Sequence, residues 1–425
     1  MRVSELRAGD PPGQRPGQAA PPAWRNPGRG GPWLVCALGL IALPWLFDSG
    51  YAITLLAQMG VMIIFALSWN LLFGLAGMLS FGHAVYAGLG AYLAVHVLNF
   101  ARAEGGAWAT PWTIVLLPLV GGLGAAGAGL VLGFLTTRRA GTPFAMITLG
   151  LGELVFAVAL MWPELFGGEA GVSTDRVLGP PAALISFGPA IQVYYLIAGW
   201  CLVCSAAMYA FTRTPLGQLA QAVRDNAERA EFIGYSARQV RFRVVVAAAF
   251  FAGVSGTLAA IQFEIVTADN LSTLRSGAVL LAAVIGGTAA FFGPVLGAIV
   301  FVFFSVALAE YTPAWPLHLG LFFIALVLFA PGGLAGLLQA GARRLRPPSL
   351  PLRGLATLLA LSILTTGLVF LIELCYVLSH ASAPAVPLFD PGRTSNWLLA
   401  LLLSLAGGWG LHALRSRVAA LEGDR

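Results

Sequence analysis

The sequence predicts an all-α, polytopic helical membrane protein with about 10–12 transmembrane helices and both termini in the cytoplasm. Three observations carry that expectation. The chain of 425 residues is 58% hydrophobic and only 10% charged, against roughly 25% charged residues in an ordinary soluble domain. Its apolar runs are long and repeated, many near the roughly 20 residues that a helix needs to cross a hydrocarbon core of about 30 Å. The roughly ten-residue alternation of a membrane β-barrel is missing. The net charge of +6 is carried by arginine alone, and the arginines lie between apolar runs. That is a positive-inside bias, so the lipid bilayer is the expected surroundings and no nucleic-acid partner is expected.

Residues 1–32 are rich in Pro, Gly and Arg and read as a disordered cytoplasmic tail. Trp33 to Phe47 is a short apolar run behind Arg25 and Arg29. No small-x-small cleavage site follows it, so it reads as a first span rather than a signal peptide. Further spans are predicted at 51–73, 81–100, 112–135, 143–163, 189–211 and 244–263, then at 276–290, 291–309 and 315–330. These form a transmembrane domain over 33–338, with a cytoplasmic loop at 212–243. The stretch 276–290 is short and reads either as a crossing or as a broken helix. A basic, Pro-rich linker at 339–354 leads to an appended two-helix segment and cytoplasmic tail at 355–425, with spans at 355–379 and 396–414.

Charge fixes the orientation. With the N-terminus inside, Arg138 and Arg139, the six arginines from Arg213 to Arg243, and Arg343, Arg344, Arg346 and Arg353 are all cytoplasmic. The opposite loops mix Glu164, Glu169, Asp175, Glu264 and Asp269 with Arg176 and Arg275. The count that satisfies this asymmetry is twelve crossings, with 276–290 as one of them.

The chain contains no lysine. A phosphate-binding Walker A loop needs one, so any ATP-driven work falls to another subunit, and no cofactor is expected on this chain. Cys36, Cys201, Cys204 and Cys375 all fall in apolar runs and read as packing residues, with neither a metal site nor a disulfide framework implied. No nucleophile–base arrangement or metal-ligand cluster appears, so the chain is not expected to be an enzyme.

The longest polar segment between two apolar runs is Thr212–Arg243. Thr214 is suited to an N-cap and Pro215 to the first helical turn. Leu216, Leu219, Val223, Ala227 and Ala230 recur at helical spacing, with Gln218, Gln221, Arg224, Asp225, Glu228 and Arg229 opposite. Gly234 is placed to end the helix in the left-handed conformation. The small residues on the apolar side leave two readings open: a helix that enters a partner's groove, or one that rests on the membrane interface.

Polar groups at membrane depth usually face a bundle interior or a wet cavity. Asn70, Ser80 and His83 lie among Gly74, Gly77, Gly82, Gly88 and Gly90. In GGTAAFFGPVLGA, Gly293 and Pro294 predict an interrupted helix. Paired interruptions of this kind mark transporter pathways, and Phe81-Gly82 is echoed by Phe292-Gly293. Glu153 lies deep in a span and needs a partner, water or a proton. His83 and Glu153 are each open to a structural reading or to a transport role, a proton carrier included.

Several motifs stand in a characteristic order: Trp69-Asn70-Leu71-Leu72 with Gly74 and Gly77, LSFGHAVYAGLGAY, TPFAMITLGLGELV with Glu153, TPLGQLAQAVRDNAERAEFIGY, GGTAAFFGPVLGA and LFAPGGLAGLL. On these motifs, from about Tyr51 to Leu338, the chain resembles the inner-membrane permease subunits of bacterial ABC importers for branched-chain amino acids, the M-type most of all. The resemblance implies a bacterial inner-membrane location and a pathway formed with a second permease subunit. It also implies cytoplasmic ABC ATPase subunits that bind the ATP, and a periplasmic substrate-binding protein. By carry-over, Pro215 to Gly234 is the ATPase-coupling helix: Pro215, Gly217, Arg224, Asp225, Asn226, Glu228, Arg229 and Gly234. Gln218 and Leu219 depart from the arginine and bulkier residue usual in the family. Related permeases carry urea, short amides or sugars, so another small solute is the alternative cargo, and a proton-coupled transporter the alternative machine.

Overall fold

The computed structural model describes residues 31–179, 186–344, 351–379 and 391–423. The predicted N-terminal tail lies outside the described residues save its last two, and so does the centre of the linker, with Arg346.

The apolar runs all become helices: α1 (Gly31–Leu46), α2 (Gly50–Asn70, continued by a π-helical turn at Leu71–Leu75), α3 (His83–Glu104), α4 (Pro111–Thr136) and α5 (Thr142–Met161). After a single turn, α6 (Pro163–Phe166), come α7 (Ala190–Arg213), the short α8 (Pro215–Asp225) and α9 (Ala227–Phe232), and the long α10 (Ala237–Phe263). Then follow α11 (Thr273–Gly286), α12 (Gly293–Val302, prolonged by a π segment and α13, Ala309–Tyr311), α14 (Trp315–Phe329), α15 (Gly333–Arg344), α16 (Pro351–Ser379) and α17 (Thr394–Gly423). Among the described residues, eight helices are long and apolar enough to cross a membrane, and α14 with α15, bent by 50°, makes a ninth. α1 and α11 are apolar but shorter.

α10 is the central helix. Ala248, Ala249, Ala252, Val254 and Leu258 are fully buried against α2, α3 and α4. Close approach depends on small residues: a Cβ on Gly90 of α3 would come within 2.6 Å of the Gly253 Cα. Thr257 ties the crossing, donating to the Gly253 carbonyl at 2.9 Å with the Gly90 carbonyl at 3.2 Å. Cys201 and Cys204 are buried in α7, as packing residues would be, whereas Cys36 and Cys375 are exposed on the bundle.

Two expectations need correction. α10 starts at Ala237, not at 244, so Arg238, Arg241 and Arg243 lie in its first turns. Ser236 caps it by accepting from the Gln239 N–H at 3.4 Å, and Ala237, Val240 and Val244 bury one face. The interruption predicted in GGTAAFFGPVLGA is present, but Pro294 does not lie within it. It opens α12, where its missing N–H needs no partner, and the break lies before it, between Gly287 and Phe292.

At the end of the bundle away from the arginine-rich loops, strands β1 (Val172–Ser173) and β2 (Ile265–Val266) pair antiparallel. Arg176 fastens this layer, donating to the carbonyls of Phe187 (2.7 Å), Gly188 (3.0 Å) and Gln262 (3.2 Å). α16 and α17 pack chiefly on each other. Glu373 of α16 faces His318 of α14 at 3.6 Å, both buried, and this pair joins the appended helices to the main bundle.

Candidate coupling element and membrane pathway

The segment after α7 doubles back at once. Thr214 caps α8, its hydroxyl accepting from the Gly217 N–H at 3.2 Å, with Pro215 in the first turn. Gly217 is pressed against the carbonyls of Phe211 and Thr212, where no Cβ fits. The helix predicted over the whole segment is broken at Asn226, whose backbone is extended and whose side chain caps α9 by accepting from the Arg229 N–H at 2.9 Å. α9 ends in a Schellman motif: Tyr235 N–H donates to the Ala230 carbonyl (3.1 Å), Gly234 N–H to that of Glu231 (2.9 Å). Gly234 takes the predicted positive φ, +89°.

The apolar stripe faces inward. Gly217, Ala220, Val223 and Ala230 are buried, and Leu216, Leu219 and Ala227 half-buried, against the chain's own bundle. The small residues therefore seat the element on this protein, not in a partner's groove. Asp225, Glu228 and Arg229 are exposed. So are two residues that the stripe does not contain, Phe232 (85%) and Ile233 (68%).

Arg224 points back into the bundle. Its guanidinium donates to the Gly74 carbonyl, and its stem lies over Gly77, where a Cβ would come within 2.6 Å of Arg224 Cγ. Gly77 has φ +68°, a conformation that a side chain would strain. The element is thus fastened to the turn that joins α2 to α3.

That turn carries the first group of pathway candidates. Asn70 ends α2, buried, with its carboxamide oxygen folded over Gly74 and no hydrogen-bond partner. Trp69 Nε1 donates to the Ser80 carbonyl at 3.1 Å, and the Ser80 hydroxyl is buried without a partner. Gly82 is pressed against the Thr148 carbonyl of α5. His83 opens α3, enclosed, with Nε2 2.9 Å from Ser68 Oγ and its ring stacked on Phe65. Ser68 spends its own proton on the Phe65 carbonyl (2.7 Å), so His83 Nε2 is the donor. Gly293 stands apart from this cluster, packed on Gly286 and Gly287 in the α11–α12 hairpin, and Pro294 beside it is buried.

Glu153 lies on the outer surface of α5, exposed, and accepts from the Thr273 hydroxyl at the start of α11. Two residues further, Arg275 lines a cavity between α3 and α10. Charge counting had put Arg275 in a loop; the cap at Ser272, which accepts from the Arg275 N–H at 3.3 Å, brings it into the helix. Phe232, Ile233 and Arg275 are the residues that sequence reasoning missed. A signal existed for the first two, an apolar pair outside the helical stripe.

A family model described as "Branched-chain amino acid transport system / permease component" matches residues 51–331. The chain is 29% identical over 320 residues to the high-affinity branched-chain amino acid transport system permease protein LivM of Escherichia coli, an alignment that covers 70% of this chain and 73% of the relative. It is 28% identical to the LivM of Salmonella typhimurium, with the same coverage. No solved structure matches the chain.

Proposed function

Because the chain belongs to the branched-chain amino acid transport system permease family, we propose that it is the non-catalytic membrane subunit of an ATP-driven importer of small apolar amino acids in a bacterial inner membrane. Two cytoplasmic ATPases drive it, a second permease completes the pathway, and a periplasmic binding protein delivers the solute. The observation that carries this reading is the α8–α9 element. It is capped at each helix start and seated on its own bundle by its apolar face. It presents Phe232 and Ile233, with Asp225, Glu228 and Arg229, at the arginine-rich end. An exposed apolar pair rimmed by charge is the anatomy of a docking surface.

The same element has a mechanical link to the membrane. ATP-driven movement of α8 pulls on the Gly74–Gly77 turn through Arg224, and that turn holds Asn70, Trp69 and the start of α3 at His83. A second permease fits the face of α5, where Glu153 with Leu154 and Met161 stands exposed. A carboxylate is costly against lipid, and a partner subunit or a shared aqueous path removes that cost.

Phe232→Ala with Ile233→Ala tests the docking. The chain is expected to insert normally but to lose co-purification with its ATPase at least tenfold. Undiminished co-purification would count against the assignment. Competition of labelled leucine uptake by unlabelled valine, isoleucine, urea and acetamide then fixes the cargo, with the amino acids expected to compete.

A further inference from the structure

The cavity beside Arg275 has a volume of about 230 Å³, below the ~300–1,000 Å³ of pockets that take drug-sized ligands. Its walls are apolar: Ala87 and Gly88 of α3 face Ala259 and Phe263 of α10. Its polar groups are Thr267, Asn270 and the Arg275 side chain. Among the described residues the guanidinium makes no hydrogen bond or ion pair. Of the acids on this side, Glu264 is paired with Arg176 at 3.8 Å, Glu153 accepts from the Thr273 hydroxyl, and Asp269 is exposed; none forms an ion pair with Arg275. Arg275 also stands in the first turn of α11, so the positive end of the helix adds to its field.

An arginine in a largely apolar cleft with no ion-pair partner is poorly stabilised. The site is complementary to a small anion whose remainder is aliphatic. We infer that this cavity is a substrate station: Arg275 receives the carboxylate of a small aliphatic amino acid, and the α3–α10 walls receive its side chain. This rests on the proposed importer function and adds to it a solute-selective site on the permease itself, at the end of the bundle where solute enters.

The test compares leucine with leucinamide, which keeps the side chain and lacks the carboxylate. The full-length chain in phosphatidylcholine nanodiscs is expected to melt several degrees higher with millimolar leucine and to be unmoved by leucinamide. The shift should vanish in Arg275→Gln and survive in part in Arg275→Lys. Equal shifts by both compounds, no shift by leucine, or a shift that persists in Arg275→Gln overturns the inference. It is also overturned if phosphatidylglycerol in the nanodisc reproduces the Arg275-dependent shift and leucine does not displace it, since the site then belongs to a lipid headgroup. In cells that carry the complete importer, Arg275→Gln should lower leucine uptake at least tenfold with ATPase co-purification unchanged. Normal uptake by that variant removes the station and leaves the importer reading intact. If wild-type cells take up no leucine while the Arg275-dependent shift with leucine remains, the cargo reading fails and the carboxylate site stands.

Discussion

At the scale of single residues, the contacts that matter join groups that are far apart in sequence. Arg224 reads as one charge on a polar helix face, and its spacing from Glu228 invites a partner-facing role. The structure instead turns its guanidinium to the Gly74 carbonyl, and only Gly77 leaves room for its stem. Gly77→Ala adds a side chain at a positive φ and against that stem, so a loss of about 1–3 kcal/mol is expected, read as a lower melting temperature in detergent. Arg224→Ala should melt close to the wild type, because the side chain is 43% exposed, yet uncouple ATP hydrolysis from uptake. Equal losses of stability in both variants would refute the division of roles. His83 was legible as a histidine in need of a hydrogen bond, but not its partner, since Ser68 lies on the preceding helix and meets it only once α2 and α3 fold together. Ser68→Ala leaves the Nε2–H buried without an acceptor, at a cost of about 1–3 kcal/mol. Ser68→Ala combined with His83→Phe should recover most of that loss.

At the scale of elements, the apolar runs, the cap at Thr214 and the glycine stop at Gly234 could be read directly, because each depends on residues within a turn or two. The break at Asn226 could not. The apolar stripe continues through it at unbroken three- and four-residue steps, while the carboxamide takes the Arg229 N–H and starts a new helix. The docking of α16 was equally hidden, since it involves a contact between helices distant in sequence. His318 gives its Nδ1 side to the Ala314 carbonyl at 3.0 Å and turns Nε2 toward Glu373. Removing one of two facing buried polar groups leaves the other in an apolar setting, whereas replacing both with apolar residues is often neutral. Glu373→Ala should therefore loosen α16–α17, seen as faster proteolysis of the 339–354 linker, and His318→Leu with Glu373→Leu should restore protection. In the β1–β2 layer, Arg102 donates to Asp175 at 2.8 Å. The Asp175 carboxyl is held below its ordinary range, chiefly by the Val177 N–H and then by Arg102. A depressed carboxylate stabilises the fold above its unfolded value and fails as pH falls through the folded one. Wild-type proteolysis of this layer should thus stay constant from pH 8 to pH 5 and rise only below about pH 4. Asp175→Asn should be cleaved somewhat faster from pH 8 to pH 5 and converge with the wild type at lower pH, a modest effect because the pair is largely exposed.

At the scale of the whole molecule, the arginine asymmetry demanded that 276–290 reverse the chain, although α11 has only 14 residues, a rise of about 21 Å. The structure resolves that tension by recessing one end of the helix. Its first turn starts part-way along the bundle, where Thr273 meets Glu153 at the surface of α5 and the buried Ser276 hydroxyl accepts from the Ala84 N–H at 3.0 Å. Its last turn still reaches the arginine-rich end. There Gly287 is packed on Gly332 and Gly333, and the Thr288 carbonyl is pressed against Gly74, the residue that Arg224 holds. The missing length is therefore all at the opposite end, and the cavity beside Arg275 occupies that recess. In a chain whose four cysteines (Cys36, Cys201, Cys204 and Cys375) are replaced by serine or alanine, Glu104→Cys should react with an impermeant maleimide in cells with a permeabilised outer membrane. Ala289→Cys and Glu231→Cys should react only after the inner membrane is opened. Labelling of Ala289→Cys from outside would mean that α11 does not cross, which would turn α12 and everything after it over and place the basic linker on the wrong side of the membrane.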